Sequence, residues 1–207
     1  MNPATPLLKK AAMAGKNSRF AVAQWLDSDQ ELFERWIEGK IHLESFEGGT
    51  VYQAFLDAFS YHHWHSPVSG HIVKAYTIEG AYYSATLAME PAEALQRQSQ
   101  TYLAHVAARA LIFIEADNAD IGTLCFAAVG MCEVSSCEIA VQTGQHVKKG
   151  DRLGMFHFGG STYCLILQPG LHAEFDLHDR TPGPFAKNIR VNEKLATVTV
   201  KSPTEGH

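Results

Sequence analysis

The feature that most constrains the fold is a series of short apolar runs in the second half of the chain. Each run is six to nine residues long, and glycine-containing turns such as GQHVKKGD (144–151) and GGS (159–161) lie between some of them. Runs of this length that are rich in β-branched and aromatic residues are typical of strands rather than helices. The runs are ALIFIEA (110–116), TLCFAAVGM (123–131), SCEIAV (136–141), RLGMFHF (152–158), YCLILQ (163–168) and LATVTV (195–200). They predict a sheet or barrel-like core.

The first half of the chain favours helices. Apolar residues recur at helical spacing over 19–38, with acidic residues mostly between them. We predict a short helix over 50–59 (TVYQAFLDAF) and a longer one over 90–109, where Pro91 lies near the start. The segments HIVKAYT (71–77) and AYYSATL (81–87) predict a hairpin.

These patterns together predict an α+β fold with a helical N-terminal part and a β-rich core. With 207 residues and 22.8 kDa, the chain has room for one domain with a small appendage. We divide it into an N-terminal helical segment (1–45) and a main domain (46–207).

Composition excludes several classes of function. The net charge is −5, with no run of more than two basic residues, so a nucleic-acid partner is not expected. There is no apolar stretch of about 18 residues for a membrane span, and no apolar block of a signal peptide. The four cysteines form no CxxC pair, which indicates reduced thiols in the cytoplasm.

A cluster of histidines lies in YHHWHSP (61–67), just before a proline. In an extended segment His63 and His65 share one face and His62 takes the other, whereas a helical turn would place His62 beside His65. Acid–base catalysis and a metal site are both open to such a cluster. A metal site has less support because no HExxH occurs and no carboxylate or cysteine stands at a standard ligand spacing. An ordinary aromatic turn whose histidines bond to the backbone is the alternative.

The segment FHFGGST (156–162) is the second candidate for chemistry. Two glycines allow backbone shapes that are closed to other residues, so the Ser161 hydroxyl can approach the carbonyl of Gly160 and attack it. The alternative is a plain hairpin turn before a buried strand. Gly48-Gly49-Thr50 carries the same local chemistry and is a natural control.

Two further features are interpreted structurally. The segment 144–151 resembles the tight hairpins of carrier domains, but no lysine lies between two methionines, so a biotin or lipoyl site is not supported. Several carboxylates are possible partners for a histidine, although solvated surface positions explain them as well. They are Asp27, Asp29, Asp57, Glu115, Asp117 and Asp120.

Taken in order, several of these segments resemble the phosphatidylserine decarboxylase family of pyruvoyl enzymes. The resemblance is carried by YHHWHSPVSG (61–70), AVGMCEVSS (128–136), GQHVKKGDRLGMFHFGGST (144–162) and the apolar run that follows. It extends from about Thr50 to Val200. GMCEVSSCEI and FHFGGST are most similar to a soluble branch that includes fungal tryptophan decarboxylases.

The resemblance implies a self-cleavage between Gly160 and Ser161. Ser161 would be the nucleophile and would become a pyruvoyl group at the new N-terminus, with a β chain of 1–160 and an α chain of 161–207. His65 would be the base for that step. His62 would assist the substrate and reprotonate it after decarboxylation.

The implied activity is that of a carboxy-lyase that decarboxylates phosphatidylserine or a free L-amino acid through a Schiff base. The implied cofactor is the self-generated pyruvoyl group, which does the work of PLP without a bound cofactor, and no metal is implied. The expected partners are a small-molecule or phospholipid substrate and a second copy of the chain.

Two departures from the family pattern keep a second hypothesis open. The family orients its cleavage base with an aspartate in a segment well upstream of the histidines. That segment is not evident here, and Asp27 or Asp29 would substitute for it. The N-terminal segment is also expected to be shortened relative to the family. The alternative is therefore a non-processing domain that binds a ligand or partner, and metal-assisted hydrolysis at His62 and His65 is a third, weaker possibility.

Overall fold

The computed structural model of the chain describes residues 5–7, 43–46, 48–56, 61–81, 107–130, 137–157, 161–176, 189–191 and 193–200. Twelve strands and one 3-10 turn, Leu43–Phe46, make up this part of the chain. The strands are β1 (Thr5–Leu7), β2 (Thr50–Leu56), β3 (His63–His65), β4 (Gly70–Ile78), β5 (Arg109–Ala116), β6 (Thr123–Gly130), β7 (Cys137–Ile139), β8 (His146–Val147), β9 (Arg152–Phe156), β10 (Ser161–Leu167), β11 (Leu171–Phe175) and β12 (Ala196–Val200).

The strands form three antiparallel sheets. The largest has seven strands in the order β1-β2-β10-β6-β5-β4-β8. A second sheet has the order β3-β9-β7, and β11 pairs with β12 in a third. In the large sheet β10 lies between β2 and β6 and pairs with both along its whole length.

The core lies on both faces of the large sheet. On one face Ile112, Ile114 and Phe126 belong to the same cluster as Trp64 and Phe156 of the three-stranded sheet. On the other face a second cluster is formed by Phe46, Leu111, Phe113, Cys125, Ala127, Val129, Cys164 and Ile166, with neighbours. A strand that is buried on both sides needs apolar residues at successive positions, which explains the unbroken apolar run of β5.

The prediction of an α+β fold is wrong, because the described residues are rich in strands and contain no α-helix. The clearest correction concerns 50–59, predicted as a helix, where Thr50–Leu56 forms strand β2. Its long-range pairing with both β1 and β10 outweighs the weak local preference of a ten-residue segment. The predicted helix at 19–38 lies outside the described residues, as does 90–109 except for its last three positions, which lead into β5.

The predicted hairpin of 71–77 with 81–87 is also corrected. β4 pairs over nearly its full length with β5, and its other edge contacts β8 at two positions. Only Ala81 of the second segment is described, and it forms an isolated bridge with Ala107. The six apolar runs of the second half, in contrast, each contain a strand.

Among the described residues, no helix has the length and apolar content that a bilayer crossing requires.

Candidate active site

Ser161 is the first residue of β10 and is fully buried. Leu56 of β2 and Gly130 of β6 are its cross-strand partners, so strands hold it on both sides. Because side chains alternate along a strand, the Ser161 hydroxyl points to the same face of the sheet as Tyr163 and Leu165. The position of this hydroxyl is therefore set by the central strand of the large sheet.

His62, the residue just before β3, contacts this hydroxyl. Its Nδ1 lies 3.3 Å from Ser161 Oγ. The His62 carbonyl accepts a hydrogen bond from the Phe156 backbone N–H (3.0 Å), and the His62 ring packs edge-on against the Phe156 ring. A backbone bond and a ring contact thus fix the imidazole beside the serine.

The other ring nitrogen of His62 has an unusual environment. Nε2 is buried and has no hydrogen-bond partner among the described residues. If Nδ1 is to accept the Ser161 proton, Nε2 must carry the ring hydrogen, and an unpaired buried N–H costs about 1–3 kcal/mol. A carboxylate at that nitrogen would remove the cost and select the base-competent tautomer.

His65 has both of its ring nitrogens engaged elsewhere. Nδ1 lies 2.8 Å from the Gly150 carbonyl, and Nε2 lies 2.8 Å from the Tyr61 hydroxyl. A carbonyl only accepts, so Nδ1 of neutral His65 donates to it, and Nε2 accepts from the Tyr61 hydroxyl. The rings of Tyr61 and His65 are also stacked. The structure therefore brings His62, and not His65, to Ser161.

His63 faces the same side of β3 as His65, as expected for an extended segment, with Trp64 buried on the other side. The pKa of His63 is lowered, mainly because desolvation disfavours its charged form and further because the Arg152 cation is nearby. Its Nδ1 has no hydrogen-bond partner in the described part of the chain.

Thr162 fixes the strand directly after the nucleophile. Its buried hydroxyl donates to the Ala54 carbonyl (2.8 Å) and accepts from Gln53 Nε2 (3.1 Å). Both partners belong to β2, so these bonds lock the register of β10 against β2 next to Ser161.

A cavity of about 580 Å³ opens on the face of the sheet to which Ser161 points. Leu56, the cross-strand partner of Ser161, is part of its wall, although Ser161 and His62 themselves are not. Five aromatic rings are part of its lining: Tyr52, Tyr61, Trp64, Phe126 and Tyr163. The rings of Phe126 and Tyr163 are stacked, with centroids 5.3 Å apart. Such a wall suits a flat apolar group.

The lining also includes four charged residues. They are Lys149, Arg190, Glu193 and Lys194. The cavity therefore offers both an aromatic surface and charged groups to one ligand, as small-molecule sites commonly do.

The remaining predicted site residues fall into two groups. Gly160, Asp27, Asp29 and Asp57 lie outside the described residues. Glu115, Asp117 and Asp120 are exposed, as expected for surface carboxylates.

The sequence did not predict the parts that Tyr61, Thr162 and Tyr163 take in this site. The alternation of β10 would have placed Tyr163 on the face of Ser161, and Tyr61 directly precedes the histidines. No local pattern, however, indicates the bond between Tyr61 and His65.

Comparison with known proteins identifies the family. The family model described as phosphatidylserine decarboxylase matches residues 5–197. The chain is 44% identical over 186 residues to the decarboxylase iboD of Amanita muscaria, covering 79% of this chain and 52% of that protein. It is 40% identical over 163 residues to the L-tryptophan decarboxylase of Psilocybe cubensis, covering 74% of this chain and 36% of that one. Phosphatidylserine decarboxylase proenzyme 3 of Schizosaccharomyces pombe is 29% identical over 187 residues, covering 89% of this chain and 18% of the proenzyme.

The chain thus spans about half, or less, of the length of these relatives. The family match nevertheless includes both halves of the site, from the histidines at 62–65 to the serine at the start of β10. A buried serine with a histidine at its hydroxyl and a family match along nearly the whole sequence lead to one conclusion: the chain belongs to the phosphatidylserine decarboxylase family.

Proposed function

We propose that this chain is a carboxy-lyase that cleaves itself before Ser161 and uses the resulting pyruvoyl group to decarboxylate an amino acid. The observation that carries the proposal is the 3.3 Å contact between Ser161 Oγ and His62 Nδ1. A hydroxyl becomes a good nucleophile when a neighbouring base takes its proton, and the imidazole is the group in position to do so.

The cleavage balances with groups that the chain itself supplies. Ser161 Oγ attacks the Gly160 carbonyl carbon while the hydroxyl proton passes to His62. The peptide C–N bond then breaks as His62 passes that proton to the amide nitrogen, which leaves an ester and a free amine. Loss of the Ser161 α-proton then expels the Gly160 carboxylate. Water hydrolyses the resulting enamine, after its tautomerisation to an imine, and releases ammonia. The new end is a ketone next to a carbonyl.

The residues present fit such a group. Ser161 is fully buried between two strands, so the group formed from it would be shielded from water on the face beside the aromatic cavity. When formed, the pyruvoyl group supplies an electron sink for the bond to the departing carboxylate. His62 is then placed to hold a proton and return it to the substrate carbon.

We further propose a free L-amino acid with an aromatic side chain as the substrate. The aromatic wall of the cavity supports this choice, because flat rings pack well against tyrosine, tryptophan and phenylalanine. The relatives named L-tryptophan decarboxylase are 40% and 42% identical to the chain, against 29% for phosphatidylserine decarboxylase proenzyme 3.

Cleavage is tested by the intact mass of the purified protein under denaturing conditions. We expect two chains, the shorter one beginning at residue 161 with a blocked end, and a single full-length chain for Ser161→Ala. Thr50→Ala is the matched control, because Thr50 also follows two glycines and should leave cleavage unchanged. Cleavage that persists in Ser161→Ala would refute the proposal.

The substrate is tested separately on the cleaved protein. Release of CO₂ from L-tryptophan, L-tyrosine and L-phenylalanine is compared with release from phosphatidylserine in vesicles. Turnover of the phospholipid alone would exclude the amino-acid substrate while leaving the carboxy-lyase assignment intact.

A second candidate function is a domain that binds a ligand without cleaving itself. The unpartnered Nε2 of His62 favours it, since nothing in the described part of the chain selects the base-competent tautomer. A single full-length mass for the unmodified chain would support this candidate.

A further inference from the structure

Three potential metal ligands lie together at the edge of the large sheet, away from Ser161. His71 belongs to β4, His146 to the edge strand β8, and Asp117 directly follows β5. In the strand order, β6 and β5 separate β10 from β4 and β8. All three side chains are exposed. Asp117 was predicted only as a possible partner for a histidine, and no role was predicted for His71 or His146.

The backbone holds the two histidines opposite each other. His71 and His146 are cross-strand partners, and the bond from the Ile72 N–H to the Gln145 carbonyl (2.8 Å) flanks the pair. This pattern marks a non-hydrogen-bonded pair, in which the side chains approach more closely than in the other type. The two ring centroids are accordingly 4.7 Å apart.

Asp117 completes the group from a fixed position. Its backbone N–H donates to the Ser69 carbonyl (2.9 Å), and both carboxylate oxygens lie 3.0 Å from His146 Nε2. One ligand atom from each residue lies within 4.8 Å of the other two. A small closure of side chains is enough to bring such atoms around one ion.

We propose that His71, Asp117 and His146 bind a divalent ion of the zinc class. Two imidazole nitrogens and one carboxylate oxygen are the donors that zinc accepts, and the exposed side leaves room for water as a further ligand. The ion takes the place of the hydrogen between His146 Nε2 and Asp117. In a neutral imidazole that hydrogen moves to Nδ1, and in an imidazolium it is released to solvent. No electron transfer is involved.

The site would add a further link between β8 and its neighbours, which backbone hydrogen bonds such as that from the Ile72 N–H to the Gln145 carbonyl already join. β8 is two residues long and pairs with β4 at two positions. The turn after it contains Gly150, whose carbonyl accepts the hydrogen bond from His65. An ion held by His146 would therefore tie this turn to β4 and to the end of β5.

A histidine and a carboxylate also pair elsewhere on the described surface, and this pair offers a matched control. His157 Nε2 lies 2.9 Å from Glu138, and both side chains are as exposed as those of His146 and Asp117. This pair has one histidine and one carboxylate, so it should bind the ion much more weakly than the three-residue site.

The test is a titration of the metal-stripped full-length protein with zinc chloride in competition with a chromogenic chelator. We expect one strong site per chain in the unmodified protein and in His157→Ala. His146→Ala and Asp117→Asn should weaken binding by at least about tenfold, since even outer-shell partners contribute that much. Circular dichroism spectra equal to those of the unmodified protein would show that these surface variants are folded.

Two results would overturn the proposal. The first is the absence of a strong site in the unmodified protein. The second is binding by the double variant His71→Ala/His146→Ala that equals binding by the unmodified chain, since the ion would then lie elsewhere. Because the readout is binding, neither result depends on whether the chain cleaves itself.

Discussion

The chain contains two glycine pairs followed by a hydroxyl residue, and their surroundings differ sharply. Gly48-Gly49 precedes Thr50 at the start of β2, and Gly159-Gly160 precedes Ser161 at the start of β10. β2 and β10 are antiparallel neighbours, with Thr50 opposite Leu167 and Ser161 opposite Leu56. The two hydroxyl residues therefore stand at opposite ends of one strand pair.

The first pair of glycines has a structural explanation. Gly48 has a positive φ of 73°, which favours glycine, and a Cβ at Gly49 would collide with the Leu167 carbonyl oxygen. Among the described residues, no side chain hydrogen-bonds to Thr50, whereas His62 reaches Ser161. The comparison teaches that the glycine–glycine–hydroxyl step does not by itself make a nucleophile. The difference between Ser161 and Thr50 is the histidine that the fold places beside the Ser161 hydroxyl.

The largest expected effect comes from removing that neighbour. Positioned proton transfer contributes roughly 100- to 10,000-fold to a rate, so His62→Ala should slow self-cleavage by at least about 100-fold. Cleavage is followed as the appearance of the short chain after refolding, by intact mass.

His65→Ala is the matched variant for this experiment. The structure leads us to expect a smaller effect, because His65 is bonded to Tyr61 and Gly150. The family resemblance assigns the base to His65, and that role stays a prediction. Blocked cleavage in His65→Ala with prompt cleavage in His62→Ala would establish it and refute the geometric assignment.

A smaller effect, on stability, should distinguish the two glycines before Thr50. Gly49→Ala should lower the free energy of unfolding by about 3 kcal/mol, because the added methyl meets backbone that cannot move aside. Gly48→Ala is the control, with open space around its Cβ and only the cost of positive φ, about 1–2 kcal/mol. Urea unfolding measures both, and equal losses would show that the contact with Leu167 is unimportant.

The smallest effect concerns the hydroxyl next to the nucleophile. Thr162→Val removes the bonds to Gln53 and Ala54 and should lower the free energy of unfolding by about 1–2 kcal/mol. Thr50→Val should change it by less than about 0.5 kcal/mol. Urea unfolding again gives the comparison, and a loss in Thr50→Val as large as that in Thr162→Val would contradict the distinction.

The strands of the second half could be predicted because burial on both faces leaves an apolar run that the sequence displays directly. β2 could not, since Tyr52, Ala54 and Leu56 are buried through pairing with β10, a segment more than 100 residues away. Local propensity is too weak to compete with such pairing.

The candidate site divides in the same way: the sequence predicts which residues are chemically suited, and strand pairing decides which of them meet. The histidines and Ser161 could be identified as chemically suited residues, and the family resemblance connected them. Which histidine reaches the hydroxyl depends on how β3 pairs with β9 beside the large sheet, and no spacing in YHHWHSP encodes that. His146 and Asp117 are likewise 29 residues apart and meet only through the strand order.

The central place of β10 has a consequence for the lifetime of the proposed enzyme. A cut before Ser161 would leave the short chain hydrogen-bonded to β2 and β6 over seven residue pairs on each side. The two fragments would stay together as one folded body. The activity would therefore depend neither on dilution of the protein nor on the supply of a separate cofactor such as PLP. The same arrangement would prevent replacement: a damaged reactive end could not be exchanged, and the cell would have to make a new polypeptide to restore it.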